Sequence, residues 1–486
     1  MTDAKRPSET RSVAPSPAPG AETPAFDADE LMRVTGGRLL KRAYRPIRGG
    51  AVDSRLVEPG QLFVALSGER TDGHAFLADA VEAGAVGLVV SRDVADPDAF
   101  GDVTVLRVDD GLAALHAIAA AWRTRFEPLV VGVTGSIAKT STKEAIATVL
   151  SQRLRTLKNE GNQNNEIGLP LTVLRMRPEH EAAVLEMGMY VGGEIADLAR
   201  IGRPRIGVVT AVQPVHLSRI GTIEAIEKAK GELVEALPPA DEGGVAVLNA
   251  DDERVRRMDA RTTARPLTYG FDPTADVTAE AVESAGPEGM RFQLETPAGR
   301  RDVVVPTLGR MAVHNALAAA AVGLASGLTL DEIATGLGHG WAAPHRAQLV
   351  RAGDVTIVDD SYNASPGSVT AALELIAGLP GRRIAVLGEM LELGDSHDAG
   401  HRAVGEAAAA TVDRLIVVGE GAQAIAAGAR AAGLEAVTAV ADRAAAMEAV
   451  LAGRRAGDVV LVKASRGIEL DKLVDDLVQA LGGREQ

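Results

Sequence analysis

At 486 residues the chain is long enough for about three domains of ~150 residues each. Apolar residues supply 46% of it and aromatic ones only 3%, so its cores must be assembled from Ala, Val, Leu and Ile. A formal net charge of −15 argues against bulk binding of nucleic acid or an anionic membrane, and the absence of Cys excludes disulfides and thiolate chemistry and suits a reducing cytosol.

Residues 1–25 are rich in Pro, Ala and Ser and contain no continuous apolar stretch, so they read as a disordered tail and not a signal peptide. No uncharged run reaches ~20 strongly apolar residues, so no membrane span is expected. Residues 26–127 alternate apolar runs with turns: QLFVAL, a helical AFLADAVEAGA, then VGLVVS. GLAALHAIAAAWR closes this region as a helix, and Glu127-Pro128 reads as a hinge. Between 128 and 341 one pattern recurs, a short apolar run ending in polar residues before a helical stretch. LVVGVT leads into a loop at Thr134, AAVLEM carries Glu186, IGVVTAV runs toward His216, and VAVL ends at Asn249. Alternating strands and helices imply a mainly parallel sheet covered on both faces, with ligands outside the carboxyl ends of the strands. The Ala-rich stretch at 311–328 reads as a packed helix. From 342 to 486, TIVDD, RIAVLG, RLIVVG and VVLVKAS are strand-like with helices between, which reads as a second nucleotide-type α/β domain.

The segment VGVTGSIAKTST places a Gly-containing turn, Lys139 and Thr140 between a buried strand and a helix. Backbone N–H groups of such a loop and of the helix N-terminus cradle phosphates, with the Lys on the terminal phosphates and the Thr hydroxyl on Mg²⁺. The position before the Lys is usually Gly, and here it is Ala138, whose Cβ is unfavourable if the backbone needs positive φ. The competing reading is an ordinary Gly-Ser turn before a helix.

TIEAIEKAKGELVEAL, residues 222–237, reads as one helix capped by Thr222. Ile223, Ile226, Leu233, Val234 and Leu237 form its apolar arc, and Lys230 falls inside that arc while Lys228 does not. Either the Lys230 stem packs and its head reaches water, or the residue faces a site. A neutral Lys amine reacts with CO₂ to give a carbamate, an anionic metal ligand. Thr140, Glu186, His216 and a carbamylated Lys230 would make an oxygen-rich set that favours Mg²⁺ over structural zinc.

In this order, the motifs resemble the Mur ligases, and among them the MurF branch, over about residues 30–480. DSRLVEPGQLFVALSGERTDGHAF (53–76) is similar to that branch's UDP-binding segment, and NEGNQNNEIGLPLT (159–172) to the stretch after its phosphate loop. LEMGM (185–189) and HLSRIGTIEAIEKAKGEL (216–233) resemble the metal and carbamylated-lysine segments. VHNALAAAA (313–321) resembles the adenine-side helix; DDSYNASPGS (359–368), VLGEMLELG (386–394) and VKASRG (462–467) resemble the C-terminal domain.

The resemblance implies an α/β protein of three domains after the tail: a small N-terminal α/β UDP-substrate domain (26–127), a central P-loop-type ATP domain with a mainly parallel sheet (128–341), and a Rossmann-like α/β domain (342–486). It implies a cytoplasmic, monomeric, ADP-forming ligase of peptidoglycan precursor synthesis. That enzyme would join D-alanyl-D-alanine to UDP-N-acetylmuramoyl-tripeptide through an acyl phosphate, using ATP and two Mg²⁺. Thr134, Gly135, Ser136, Ala138, Lys139, Thr140 and Ser141 would hold the phosphates, and Asn315 the adenine. Arg346 and Asp360 would close on the nucleotide; Ser54 and Arg55 would hold UDP, and Asn164 and Asn165 would line the substrate path. Lys139, Glu186, His216 and carbamylated Lys230 would serve the chemistry, Thr140 and Glu186 on one metal, His216 and Lys230 on the other. Ala138, Val212, His345 and Ala464 depart from the residues usual at those positions, which are Gly, Asn, Gly and Gly. Two other readings stay open: a related amide ligase with a different amino-acid acceptor, such as a glutamate-adding folate ligase, and a nucleotide-binding homologue that does not catalyse.

Overall fold

The computed structural model describes residues 23–68, 71–214 and 220–482. Most of the expected tail and His216 lie outside these described residues.

The N-terminal sheet has five strands in the order Arg38–Lys41, Thr104–Arg107, Gly87–Val90, Leu62–Val64 and Gly50–Ala51. Only the first pair is antiparallel. The helix expected from GLAALHAIAAAWR runs from Gly111 to Arg123, and the Asp110 side chain accepts from Leu112 N at 2.8 Å to cap it. This helix serves two domains. Trp122 is fully buried and its Nε1–H donates to Met176 O at 3.2 Å, while Arg123 Nε donates to Gly202 O at 2.9 Å. One continuous core joins Leu115, Ile118 and Trp122 to Leu169, Met176 and Leu198 of the following domain. The joint read from the sequence as a hinge at Glu127-Pro128 is therefore packed: indole and guanidinium cross it and bond backbone carbonyls on the far side.

The central sheet is wholly parallel, in the order Arg265–Tyr269, Val245–Asn249, Ile206–Val209, Leu129–Thr134, Ala182–Glu186 and Thr156–Lys158. Its strands are runs of Val, Ala and Ile buried on both faces, as a parallel sheet requires. Thr134, Glu186 and Asn249 each end a strand, on the edge where such sheets bind ligands. The helix Arg310–Ala325 packs on the helix Lys139–Leu150 through Val313, Ala316 and Ala320, the short side chains letting two backbones approach in a protein with few aromatics. A three-stranded antiparallel sheet, Thr278–Ser284, Met290–Thr296 and Gly299–Val305, adds to the strand–helix alternation expected here. Its period-two pattern is visible in Phe292, Leu294, Val303 and Val305, which are buried in the core between more exposed neighbours.

The C-terminal sheet has six strands in the order Gln348–Ala352, Val355–Asp359, Val459–Lys463, Arg383–Gly388, Arg414–Val418 and Val437–Val440. The first pair is antiparallel and the rest are parallel. The three-domain α/β architecture expected from the sequence is present. Among the described residues no helix is long and apolar enough to cross a membrane.

Because Trp122 fills the joint between the first two domains, Trp122→Ala is expected to destabilise the protein by about 3–5 kcal/mol. Urea unfolding of the variant should show an earlier midpoint for both of these domains together.

Candidate active site

The phosphate loop is anchored where two parallel strands end side by side. Ser136 N–H donates to Ala211 O at 2.8 Å, Ser136 Oγ to Gln213 O at 3.0 Å, and Thr210 Oγ1 to Ile137 O at 2.6 Å. Gly135 has φ +147°, and a Cβ there would lie 1.9 Å from Thr210 Oγ1, so no larger residue fits. Ala138 takes φ +64° and ψ −2°, the left-handed conformation in which a Cβ is unfavourable. It precedes the helix Lys139–Leu150 with no side-chain cap, so the first helical N–H groups and the positive end of the dipole face an incoming anion uncontested by a side chain.

The Lys139 ammonium folds over the loop, donating to Gly135 O at 2.8 Å and Ser136 O at 3.3 Å. Burial pushes its pKa down; the Glu186 carboxylate opposes this and the Arg346 guanidinium reinforces it. Glu186 is engaged on both oxygens. Thr140 Oγ1 donates to Oε2 at 2.8 Å, and Asn164 Nδ2 donates to Oε1 at 2.6 Å. The Glu186 N–H donates to Asn159 Oδ1 at 2.7 Å. Asn165 lies alongside, but its Oδ1 accepts from Gly168 N at 2.9 Å and so caps the next helix.

Lys230 lies on the helix Ile223–Glu235, which Thr222 caps by accepting from Ala225 N at 3.2 Å. Its side chain is buried, with the residue 3% exposed, whereas Lys228 is exposed. A head that reaches water is thereby excluded. Burial, and secondarily the charge of Lys139, hold the Lys230 pKa well below the ordinary lysine value. Among the described residues no group of three or more His, Asp and Glu side chains could form a metal cage. A hydroxyl and a single carboxylate beside a phosphate loop instead fit Mg²⁺, which retains waters and takes phosphate oxygens.

On the opposite side of the loop helix, buried Asn315 accepts through Oδ1 from Thr142 Oγ1 at 3.0 Å. Neighbouring His314 meets Asn249 Oδ1 at 3.1 Å and Asp251 Oδ2 at 3.4 Å, and lies against Tyr269 and Phe271. The Arg310 guanidinium sits 3.7 Å over the Phe271 ring. Phe271, Arg310 and His314 thus give the cleft a flat, π-rich end suited to a heterocyclic base. The C-terminal domain supplies the facing wall. Asp360 binds Lys463 Nζ through Oδ2 at 2.5 Å and accepts from Ala347 N through Oδ1 at 3.1 Å. Arg346 stacks 4.1 Å from the Tyr362 ring centre, with Arg466 at 5.3 Å. Burial raises the Tyr362 pKa, opposed first by Arg346.

These parts line one cleft of about 1240 Å³ between the central and C-terminal domains, which also reaches His116 of the N-terminal domain. It brings together Ser136, Ala138, Lys139, Thr140, Ser141, Asn164, Asn165, Glu186, Asn315, Arg346 and Asp360. It does not include Thr134, Gly135, Lys230, Ser54 or Arg55. Ser54 is buried at the start of a short 3₁₀ turn, and exposed Arg55 pairs with Asp53 at 2.6 Å. Reading the sequence passed over His314, Tyr362, Lys463 and Arg466, although each stands inside a motif already singled out. Phe271 and Arg310 carried no comparable signal: only the fold brings residues 39 positions apart face to face.

The departures from the usual residues are accommodated. His345 has φ +59° and its Nδ1 lies 2.7 Å from Asp359 Oδ2. Val212 is buried and its N–H donates to Asp252 Oδ2 at 2.7 Å. Ala464 is buried close against Gly388, where an added Cβ would come within 2.7 Å of it.

A parallel sheet with a phosphate loop, sharing its cleft with a second nucleotide-type domain, defines a nucleotide-using α/β enzyme of several domains. The sequence matches the Mur ligase family catalytic domain over residues 46–123, the Mur ligase middle domain over 133–323, and the Mur ligase glutamate ligase domain over 345–466. The chain belongs to the Mur ligase family, within its MurF branch. It is 42% identical to a UDP-N-acetylmuramoyl-tripeptide–D-alanyl-D-alanine ligase of Escherichia coli over 77% of this chain and 81% of that one. The structure is similar to MurF from Acinetobacter baumannii, with a TM-score of 0.84, 30% identity, and coverage of 94% and 99% of the two chains. It is also similar to MurF from Thermotoga maritima in complex with ADP, with a TM-score of 0.79, 28% identity, and coverage of 90% and 98%.

Ala138→Gly removes the left-handed Cβ and is expected to stabilise the protein by roughly 1 kcal/mol with turnover equal or higher. Thermal melting and phosphate release check this. A large loss of turnover would mean that the loop has adapted around the methyl group.

Proposed function

We propose that this chain joins D-alanyl-D-alanine to UDP-N-acetylmuramoyl-tripeptide in the cytoplasm, acting as a monomer in peptidoglycan precursor synthesis. The observation that carries the reading is 42% identity over 77% of the chain to a ligase of this name, combined with a cleft that assembles the loop, Glu186 and the C-terminal cations.

ATP phosphates lie on the loop 134–141, against the helix N-terminus and Lys139. Asn315, with Arg310, Phe271 and His314, receives the base. The tripeptide's terminal carboxylate attacks the γ-phosphorus, displacing ADP and forming an acyl phosphate. The free amine of D-alanyl-D-alanine then attacks the acyl carbon, loses a proton, and the tetrahedral adduct expels phosphate to leave the amide. Thr140 and Glu186 would hold one Mg²⁺, and His216 and Lys230 a second, and these ions would supply positive charge for the transferring phosphoryl group. Lys139 adds a fixed positive charge at the same place, and Arg346 and Asp360 bring the C-terminal wall to it, so the domains close before chemistry. Asn164 orients Glu186 and borders the tripeptide, and Ser54 and Arg55 hold the uridine diphosphate end.

Lys230 acts as a carbamate. Burial and the charge of Lys139 disfavour its ammonium form, and a neutral amine there would bond through nitrogen to the carbon of CO₂ and release one proton to solvent. The group would thereby become an anion that both Lys139 and a metal ion favour.

Phosphate release from ATP is expected only when UDP-N-acetylmuramoyl-tripeptide and D-alanyl-D-alanine are both present. Release with a single amino acid in place of the dipeptide would overturn the acceptor assignment, and nucleotide binding without turnover on any muropeptide would overturn the activity. Lys230→Ala is expected to abolish turnover while ADP binding, followed by calorimetry, stays within a few-fold; near-normal turnover would remove the carbamate.

A further inference from the structure

Lys143 is the most deeply buried cation of the central domain, 0% exposed, and no phosphate-binding role reaches it. It lies one turn after Thr140 on the helix Lys139–Leu150 and so on the same face. Its ammonium donates to Asn159 O at 2.7 Å and Gly161 O at 3.3 Å, and pairs with Glu144 Oε1 at 3.1 Å. Glu144 in turn binds Lys158. Two of these contacts are carbonyls of the loop 159–165 that carries Asn164.

That loop meets the site at several points. The Asn159 side chain accepts from Glu186 N at 2.7 Å and donates to Gln163 O at 2.5 Å. Gly188 N–H donates to Asn164 O at 2.8 Å, and a Cβ at Gly188 would sit 2.9 Å from Asn164 Oδ1. Asn164 then holds Glu186 Oε1. The helix therefore reaches Glu186 twice: directly from Thr140 to Oε2, and from Lys143 through the loop to Oε1.

We propose that Lys143 is a positioning residue that orients the Glu186 carboxylate for Mg²⁺ by tying the 159–165 loop to the phosphate-loop helix. The inference rests on the assignment of Glu186 as a magnesium ligand. An ammonium held mainly by carbonyls is an expensive way to stabilise a core, and an apolar side chain of the same length would pack as well. What the ammonium adds is direction. It bonds two carbonyls of one turn and thereby sets where Asn164 stands. Without it, Asn159 O and Gly161 O lose their shared donor, the loop shifts, and one oxygen of Glu186 is released to rotate about its terminal torsion. Partners that orient a metal ligand are worth ~10–100-fold in metal affinity or activity.

The test is a Mg²⁺ titration of phosphate release at saturating ATP, UDP-N-acetylmuramoyl-tripeptide and D-alanyl-D-alanine. Lys143→Met should raise the half-saturating Mg²⁺ about tenfold, at the lower end of that range, and leave ADP affinity measured without Mg²⁺ unchanged. Lys143→Arg, which keeps charge and donors, should recover part of the shift. A purely structural role would lower the melting temperature without moving Mg²⁺ half-saturation in the folded enzyme. Folded Lys143→Met with wild-type kcat and Mg²⁺ dependence overturns the proposal. Should Lys143→Met not fold, the Lys143→Met/Glu144→Gln pair removes a carboxylate that has lost one of its two ammonium partners, and it carries the same expectation. Glu186→Gln in the same titration separates the two levels. If it leaves Mg²⁺ dependence unchanged, the metal assignment itself fails; if it shifts the dependence and neither Lys143 variant does, only the positioning role fails.

Discussion

The rest of the site depends on one carboxylate having both its oxygens spoken for. Glu186 ends a buried strand, so its backbone is fixed by the sheet. Its side chain would still turn about its last torsion, which is broad for a carboxylate. Thr140 takes one oxygen and Asn164 the other, and these two belong to different segments. Fixing Glu186 therefore fixes the loop helix and the 159–165 loop relative to each other. A hard cation such as Mg²⁺ demands near-ideal geometry, and a carboxylate restrained from both sides meets that demand with little reorganisation.

The same segment faces the opposite wall across the cleft. Asn162 and Tyr362 both line it, and the Arg346 and Arg466 guanidiniums lie 4.1 and 5.3 Å from the Tyr362 ring centre. Two guanidiniums close to one aromatic ring would repel each other. The ring's negative face and the nearby Glu186 carboxylate offset that repulsion. The first and second domains, by contrast, are joined through a shared apolar core around Trp122. One junction is dry and packed, the other polar and lining the cleft. Arg346 and Asp360 sit on the polar side.

Sequence patterning revealed what short-range physics controls. The strand ends at Thr134, Glu186 and Asn249, the helix over 223–235 with its Thr222 cap, and the misplaced Lys230 follow from period and propensity, and the structure contains each. The hinge at Glu127-Pro128 misled because a Glu-Pro pair records local chain stiffness and says nothing of Trp122 reaching Met176 O. The antiparallel sheet at 278–305 carries a period-two pattern, but the strand–helix alternation expected over 128–341 left no place for three consecutive strands. Lys143 was hidden for the opposite reason. A lysine in TSTKE looks like a solvated helix residue, and only the tertiary placement of the 159–165 loop makes it the buried centre of a clamp.

Two departures from glycine show how strain is tolerated at this site. Ala138 and His345 both sit in the left-handed region, where an L-residue is less favourable by about 1–2 kcal/mol. Each is held by a specific bond nearby. Thr210 Oγ1 holds the Ile137 carbonyl just before Ala138, and the His345 ring meets buried Asp359. The first strained residue sets the direction of Lys139 and the helix behind it; the second precedes Arg346, which faces that lysine closely enough to depress its pKa. Both strained positions thus immediately precede a cation of the cleft. The neighbouring bonds that hold the backbone there also fix where each charge points, so restoring glycine at Ala138 would relieve strain while Thr210 still holds the loop.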